Sequence, residues 1–369
     1  MKKVLLSSFF VSLITFYSCK KSDTTTPAVT LSSDTLVFTG CENNLIYAIN
    51  ALAGTKVWTF STEGSTISAP TLADGVLYAA SYDKNVYAIN PATGAKKWSY
   101  TTGGTIKSSP TVVNGVLYVG CNDNNVYAID AATGTKKWTY ATGGNVKSSP
   151  TVVNGVVYVG SFDANVYALD AVTGSLKWKF TAGDWVNSSP SVVNGVVYFG
   201  SYDNKVYALD ASTGVQKWSY TGTSYFEASP TVANGIVYIG SNDKKMYAFD
   251  AATGTKKWEF AASYGIDSSP IVVNGLLYFG SYDGKIYALN AATGTKMWEY
   301  QTGGIIIASP TIANNTLYVG SGDYIFYALD AITGTKKWTY TSGGLLYSSP
   351  CVLTNNTGIN HSGISGSQQ

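Results

Sequence analysis

The chain has 369 residues, 12% of them charged and 14% aromatic, a balance that suits a large buried β core. All 24 basic residues are lysine, set against 22 acidic ones for a formal net charge of +2. With Lys2 and Lys3 of the leader set aside the signs balance, which argues against nucleic acid or an anionic membrane surface as the main partner.

Residues 1–18 begin with Lys2 and Lys3 and continue in an apolar stretch interrupted by serines. The stretch is too short to span a bilayer and reads as an export signal. It ends at Ser18-Cys19-Lys20-Lys21, which resembles a bacterial lipoprotein signal with Cys19 as the lipidated residue. That resemblance implies an exported protein held by a lipid anchor at the bacterial cell envelope, as an outer-membrane lipoprotein. Residues 19–34 are then the anchor cysteine and a flexible Thr/Pro/Ser linker.

From residue 35 the sequence repeats every forty residues, most plainly around SSPTVVNGVVYVG at 148–160. Asn154-Gly155 lies between two short apolar runs and reads as a type I′ hairpin turn, because both residues tolerate positive φ. Residues 151–153 form a first strand. The second, 156–159, is apolar without alternation, as in a sheet covered on both faces. Residues 162–165 turn the chain into a third strand at 166–169. In the longer loop 170–174 (DAVTG), Asp170 bonds backbone N–H groups and Gly174 takes the left-handed position. Trp178 opens a fourth strand, and nothing in the unit has helical periodicity.

The fourth-strand tryptophan recurs at Trp58, Trp98, Trp138, Trp178, Trp218, Trp258, Trp298 and Trp338. A forty-residue period with four strands per unit is the signature of a β-propeller. TLVFT at 35–39 matches a second strand with no first before it, and SSPCVL at 348–353 matches a first strand with no others after it. Together they make one blade. The expected fold is all-β: a closed eight-bladed β-propeller of four-stranded antiparallel blades over residues 35–355. Its last blade is closed by the C-terminal strand pairing with the N-terminal strands. Residues 356–369 form a polar tail. This register sets Cys351 opposite Phe38, so Cys41, Cys121 and Cys351 read as free thiols.

Residues 128–138 read AIDAATGTKKW. The pattern AxDxxTGxxxW resembles the tryptophan-docking motif of the pyrroloquinoline-quinone (PQQ) enzyme repeat. It is complete in the copies ending at Trp138, Trp178, Trp218, Trp258 and Trp338, and most degenerate in the copy ending at Trp58. The resemblance implies an eight-bladed ring in which each Trp packs against the motif of a neighbouring blade. Quinone dehydrogenases share this repeat with non-catalytic propellers, among them the lipoprotein propeller subunit of the outer-membrane barrel-assembly machinery.

Eight equivalent copies separate scaffold from candidate site. Asp83, Asp123, Asp163, Asp203, Asp243, Asp283 and Asp323 all open the same turn and are turn-formers rather than catalysts. His361 is the only histidine, and no two-Cys or Cys/His metal spacing exists, so no catalytic or metal residue is assigned. The variable segment is the connection from each fourth strand to the next blade. Three successive copies depart from the plain Gly-Gly form, at 183–187, 223–227 and 263–267. The residue three before each first-strand proline forms a ring with a polar arc of Lys107, Lys147, Asn187, Glu227 and Asp267, opposite an apolar arc of Ile67, Ile307 and Tyr347. With the aromatics Trp185, Tyr225, Phe226 and Tyr264, the polar arc is the candidate partner-binding surface. Glu227 and Asp267, if close, should repel and raise one pKa unless a cation or Lys147 offsets them.

The expected function is an envelope-anchored, non-enzymatic, monomeric propeller scaffold, without cofactor, that binds a protein or glycan partner through this loop face. The alternative is a PQQ-dependent dehydrogenase with a Ca²⁺–quinone site in the axial funnel. Asn187, Glu227 and Asp267 would be its oxygen ligands and Trp185 its stacking surface. The chain has no Arg and no adjacent Cys-Cys pair, and is shorter than the typical alcohol-oxidising members. An outer-membrane protein assembly factor is the third reading.

Overall fold

A computed structural model describes residues 35–354. The expected export signal, Cys19, the expected linker and the polar tail lie outside the described residues. Within them, thirty-two strands form eight four-stranded antiparallel sheets, with no helix.

A representative blade consists of Thr151–Val153, Val156–Gly160, Asn165–Asp170 and Leu176–Thr181, paired in sequence order. The expected turn chemistry is present. Asn154 and Gly155 have φ of 50° and 73°, the mirror-image turn that matches strand twist. Asp170 Oδ1 accepts from the N–H groups of Val172 and Thr173 at 3.0 and 2.9 Å, and Gly174 has φ 74°.

The cut blade closes as its sequence predicts. Cys351–Thr354 pairs with Thr35–Gly40, followed by Leu45–Asn50 and Lys56–Ser61, and Phe38 faces Cys351. The three cysteines are buried free thiols. Cys121 Sγ donates towards Gly104 O at 3.3 Å, where Ser161 Oγ bonds Gly144 O at 3.1 Å in the next blade.

Blades pack face to face through their second and third strands. Tyr118, Val126 and Ala128 of one blade meet Val157, Val159 and Leu169 of the next, all buried. The tryptophans dock across these seams. Trp98 Nε1 donates to Ala131 O at 3.0 Å, and a Cβ on Gly134 would come within 2.8 Å of the Trp98 ring. The girdle also crosses the chain's seam, where Trp338 bonds Ala51 O at 3.0 Å and lies against Gly54. Tyr78 OH donates to the same Ala131 carbonyl at 3.0 Å, a second clamp with no counterpart in the motif. Near the axis an inner belt links the first strands: Ser109 N donates to Ser149 Oγ at 2.9 Å and Thr111 Oγ1 to Pro150 O at 2.6 Å.

This topology gives the ring two unlike faces. One carries the first-to-second hairpins and the third-to-fourth loops, here the hairpin face. Thr35 and Thr354, paired with each other, lie on it. The other, the loop face, carries the second-to-third turns and the connections between blades.

Candidate functional site

On the loop face each turn Asp staples a connection. Asp163 Oδ2 accepts from Gly143 N and Tyr167 OH, both at 2.6 Å, while Oδ1 takes Asn165 N at 3.0 Å. The three irregular connections keep this staple: Gly183 N and Ser263 N still reach Asp203 and Asp283, and Thr223 uses its hydroxyl to reach Asp243 at 2.8 Å. Their backbone is therefore held like the rest, and what differs is the side chains they present.

The connections and turns then interdigitate. Tyr202 N donates to Trp185 O, and Asn242 N to Tyr225 O. This zipper stacks their rings into a ladder. Phe162 lies flat on Trp185, with centroids 4.6 Å apart and planes within 12°. Trp185 tilts against Tyr202 at 5.7 Å, and Tyr202 stacks on Tyr225 at 4.5 Å and 8°. Trp185 remains 46% exposed; Tyr264, beside Lys244 Nζ at 5.4 Å, is 60% exposed.

Inside the ladder lies the polar arc. Glu227 is its hub. Asn187 Nδ2 donates to Oε1 at 2.6 Å, Tyr202 OH donates to Oε2, and Lys107 Nζ stands 3.9 Å from Oε1. Next to it, Tyr282 OH donates to Asp267 Oδ2 at 2.7 Å, while the buried Oδ1 accepts no hydrogen bond. Burial, and then repulsion from Glu227, push the Asp267 carboxyl up to about 6, against the opposing pull of Tyr282, Lys107 and the Asn242 amide. Burial likewise raises the Tyr202 phenol, with the Glu227 charge second.

Most of the expected residues therefore converge on one sector, with two corrections. Phe226 does not reach the surface: it is 0% exposed and packs with Val237, Ile239 and Tyr247 in the interblade core. The cation that comes to Glu227 is Lys107 rather than Lys147. Lys147 Nζ sits 4.2 Å over the Phe162 ring, and burial and Lys107 lower its pKa.

Phe162, Tyr202 and Tyr282 were missed by the sequence reading. They occupy the position just before the turn Asp, where the copies read Glu42, Tyr82, Asn122, Phe162, Tyr202, Asn242, Tyr282 and Gly322. Such variability within a fixed turn was the available signal. Among the described residues, Ser65 Oγ, Asn122 Oδ1 and Asp267 Oδ1 are the buried side-chain polar atoms without a hydrogen-bond partner, and all three lie on this face. No group of three or more His, Cys, Asp or Glu side chains capable of holding a metal occurs among the described residues.

Fold and docking girdle together define an eight-bladed propeller of the PQQ-repeat type. The family model described as outer membrane protein assembly factor BamB matches in overlapping segments at 20–141, 103–193, 141–225, 166–266 and 261–355, and the chain belongs to that family. Among solved structures, BamB from Moraxella catarrhalis is similar at 21% identity and TM-score 0.67, covering 77% of this chain and 90% of that one. The computationally designed Ika8 protein is similar at 16% identity and TM-score 0.71, over 83% and 93%. A europium-containing methanol dehydrogenase is similar at 14% identity and TM-score 0.65, over 78% and 81%. No curated protein matches the chain in sequence.

Proposed function

We propose that the protein is a non-enzymatic scaffold of the bacterial cell envelope, anchored through lipid on Cys19, that docks a protein partner on its loop face. The observation that carries this reading is the ladder Phe162–Trp185–Tyr202–Tyr225, which rims one sector of a face otherwise built from repeats. Rigid, partly exposed aromatics beside a hydrogen-bonded polar arc have the chemistry of an interface anchor, where truncations commonly cost about 2 kcal/mol or more. The family description names an outer membrane protein assembly factor, which favours a protein over a glycan as the partner.

The quinone reading fits these residues poorly. Calcium takes roughly six to eight oxygens, whereas both oxygens of Glu227 and one of Asp267 already accept hydrogen bonds from the protein.

The test is the double variant Trp185→Ala with Tyr225→Ala, carrying a photo-crosslinking residue at Tyr264 and assayed in intact envelopes. It should lose the crosslinked protein adduct seen without the two changes, and its melting temperature should stay within a few degrees. Retention of that adduct would move the binding site elsewhere, and an adduct to glycan would replace the protein partner. A quinone absorbance band on adding PQQ and Ca²⁺ would restore the dehydrogenase.

A further inference from the structure

The balanced total charge conceals an uneven distribution on the hairpin face. In the blades ending at Trp178, Trp218, Trp258 and Trp298, charges at the base of the outermost strand are matched or absent. Lys256 and Lys296 reach Glu259 and Glu299 at 2.7 and 2.8 Å, and Lys177 reaches Asp170 at 3.1 Å. Leu176 and Gln216 stand where other copies have lysine.

The other half of the ring is different. In the contiguous blades ending at Trp338, Trp58, Trp98 and Trp138, the side chains of Lys336, Lys56, Lys96, Lys97 and Lys136 are exposed. None of the five has a carboxylate partner among the described residues. The cause is readable: Thr59, Ser99, Thr139 and Thr339 stand where Glu259 and Glu299 hold Lys256 and Lys296, and Asn90 replaces the loop Asp that would pair with Lys97, as Asp130 does with Lys137 at 3.1 Å.

Aliphatic tips are exposed around the whole hairpin face, Leu52 at 74% and Ile332 at 63% on adjacent blades of this sector and Val172, Leu176, Val215 and Met297 in the other half, so the unpaired lysines are what set the sector apart. Exposed aromatics, by contrast, are Tyr82, Trp185, Tyr264 and Tyr324, all on the loop face. The chain also enters here. Leu36, next to Thr35, pairs with Asn50 at the start of the loop that carries Leu52. Residues 20–34 separate Cys19 from this point, a tether of at most ~50 Å fully extended.

We propose that this sector of the hairpin face rests on an anionic phospholipid surface, Leu52 and Ile332 entering the interface and the unpaired lysines lying over the headgroups. Single aliphatic tips spread among unpaired lysines, without an aromatic anchor, suit a laterally mobile plane of anionic headgroups better than a shaped partner. The loop face is then turned away from the bilayer, towards the aqueous compartment. The inference rests on the envelope reading for its setting but not on acylation of Cys19 for its contacts.

The test uses the full chain with Cys19→Ser, so that no acyl chain contributes, sedimented with vesicles of phosphatidylethanolamine and phosphatidylglycerol at low salt. Phosphatidylcholine vesicles are the reference. The protein should bind the anionic vesicles preferentially, and binding should fall with added salt. Each of Lys56→Glu, Lys97→Glu and Lys336→Glu should weaken it about thirtyfold, as the reversal of a charge that contributes about 1 kcal/mol implies. Leu52→Ser with Ile332→Ser should weaken it at high salt too, and Lys84→Glu on the loop face should change nothing. Equal binding to both vesicles, binding to neither, or a flat salt profile of the unreversed chain overturns the proposal. Docking of this variant without any loop-face partner would separate the failure of one reading from that of the other.

Discussion

Gly134→Ala probes the docking girdle where its geometry is tightest. Two costs add. Gly134 has φ 76°, a left-handed conformation that disfavours a side chain by about 1 kcal/mol or slightly more. A Cβ there would lie 2.8 Å from Trp98 Cδ2 and Cε3, so the indole must retreat from a packed seam, at about 1–3 kcal/mol. Retreat also strains the Trp98 Nε1 bond to Ala131 O, worth roughly 1 kcal/mol. The sum is about 3–5 kcal/mol, a large share of a typical domain's stability. Gly155→Ala supplies the reference, because Gly155 has φ 73° but nothing within 4 Å of its would-be Cβ. It should cost about 1 kcal/mol, the conformational part alone. Urea unfolding followed by circular dichroism measures both. In a Trp98→Ala background the excess cost of Gly134→Ala should vanish, since the clashing ring is gone. Equal costs for Gly134→Ala and Gly155→Ala would refute the argument that the glycine is there to receive the tryptophan.

Ending the chain before Ser348 should abolish a cooperative melt and promote aggregation. It uncovers the edge of Thr35–Gly40 and removes the Ser348 Oγ bond to Ser68 O and the Thr311 Oγ1 bond to Pro350 O. Removing only residues 356–369 should leave the melt unchanged, and the same loss in both truncations would disprove the pairing as the cause. Asp267 titrates near 6 in the folded protein against an ordinary 3.8, so the folded state holds its proton more tightly. Its stabilising contribution is full below pH about 4 and is lost as pH rises through about 6. Asp267→Asn should therefore stabilise the protein at pH 7 by about 3 kcal/mol at most and have little effect near pH 4. Parent and variant stability curves that run parallel over that range would contradict this. Cys19→Ala should shift the protein from the membrane fraction to a soluble or unprocessed form, with mass spectrometry of the mature N-terminus as the check; one acyl chain alone binds only marginally, so several are expected.

The architecture was legible because every blade repeats the same local decisions. Asn-Gly turns, the Asp and Gly of the third-to-fourth loop, and the docking tryptophan each occur often enough that one degenerate copy misleads nobody. The site was legible only as a place. Phe226 reads as a surface aromatic because it sits in an irregular connection, yet its register partners Ile106, Val146, Val186, Ile266, Ile306 and Leu346 are apolar, and all of them, with Thr66 as the one polar copy, are buried. Comparison of copies at that position, rather than of whole loops, puts it in the core. Lys107 could not be chosen over Lys147 from sequence, because its approach to Glu227 spans the funnel rather than the chain. Tyr202 and Tyr282 precede a turn Asp that repeats in other blades, and only the folded ring brings their hydroxyls to Glu227 and Asp267.

The seam between Thr35–Gly40 and Cys351–Thr354 also sets an order of events in the life of the molecule. Thr39 Oγ1 bonds Ser348 O across a sequence separation of 309 residues. Closing so long a loop directly from an unstructured chain costs about 5 kcal/mol in entropy, so the intervening blades must form first and bring the two strands together. Until then the first blade built is an incomplete one, with an open strand edge and an uncovered core. Its missing strand is the last piece of the propeller to leave the ribosome, and the last to emerge from any export channel that takes the N-terminus first. The ring therefore cannot lock until Cys351–Thr354 is free to pair with Thr35–Gly40.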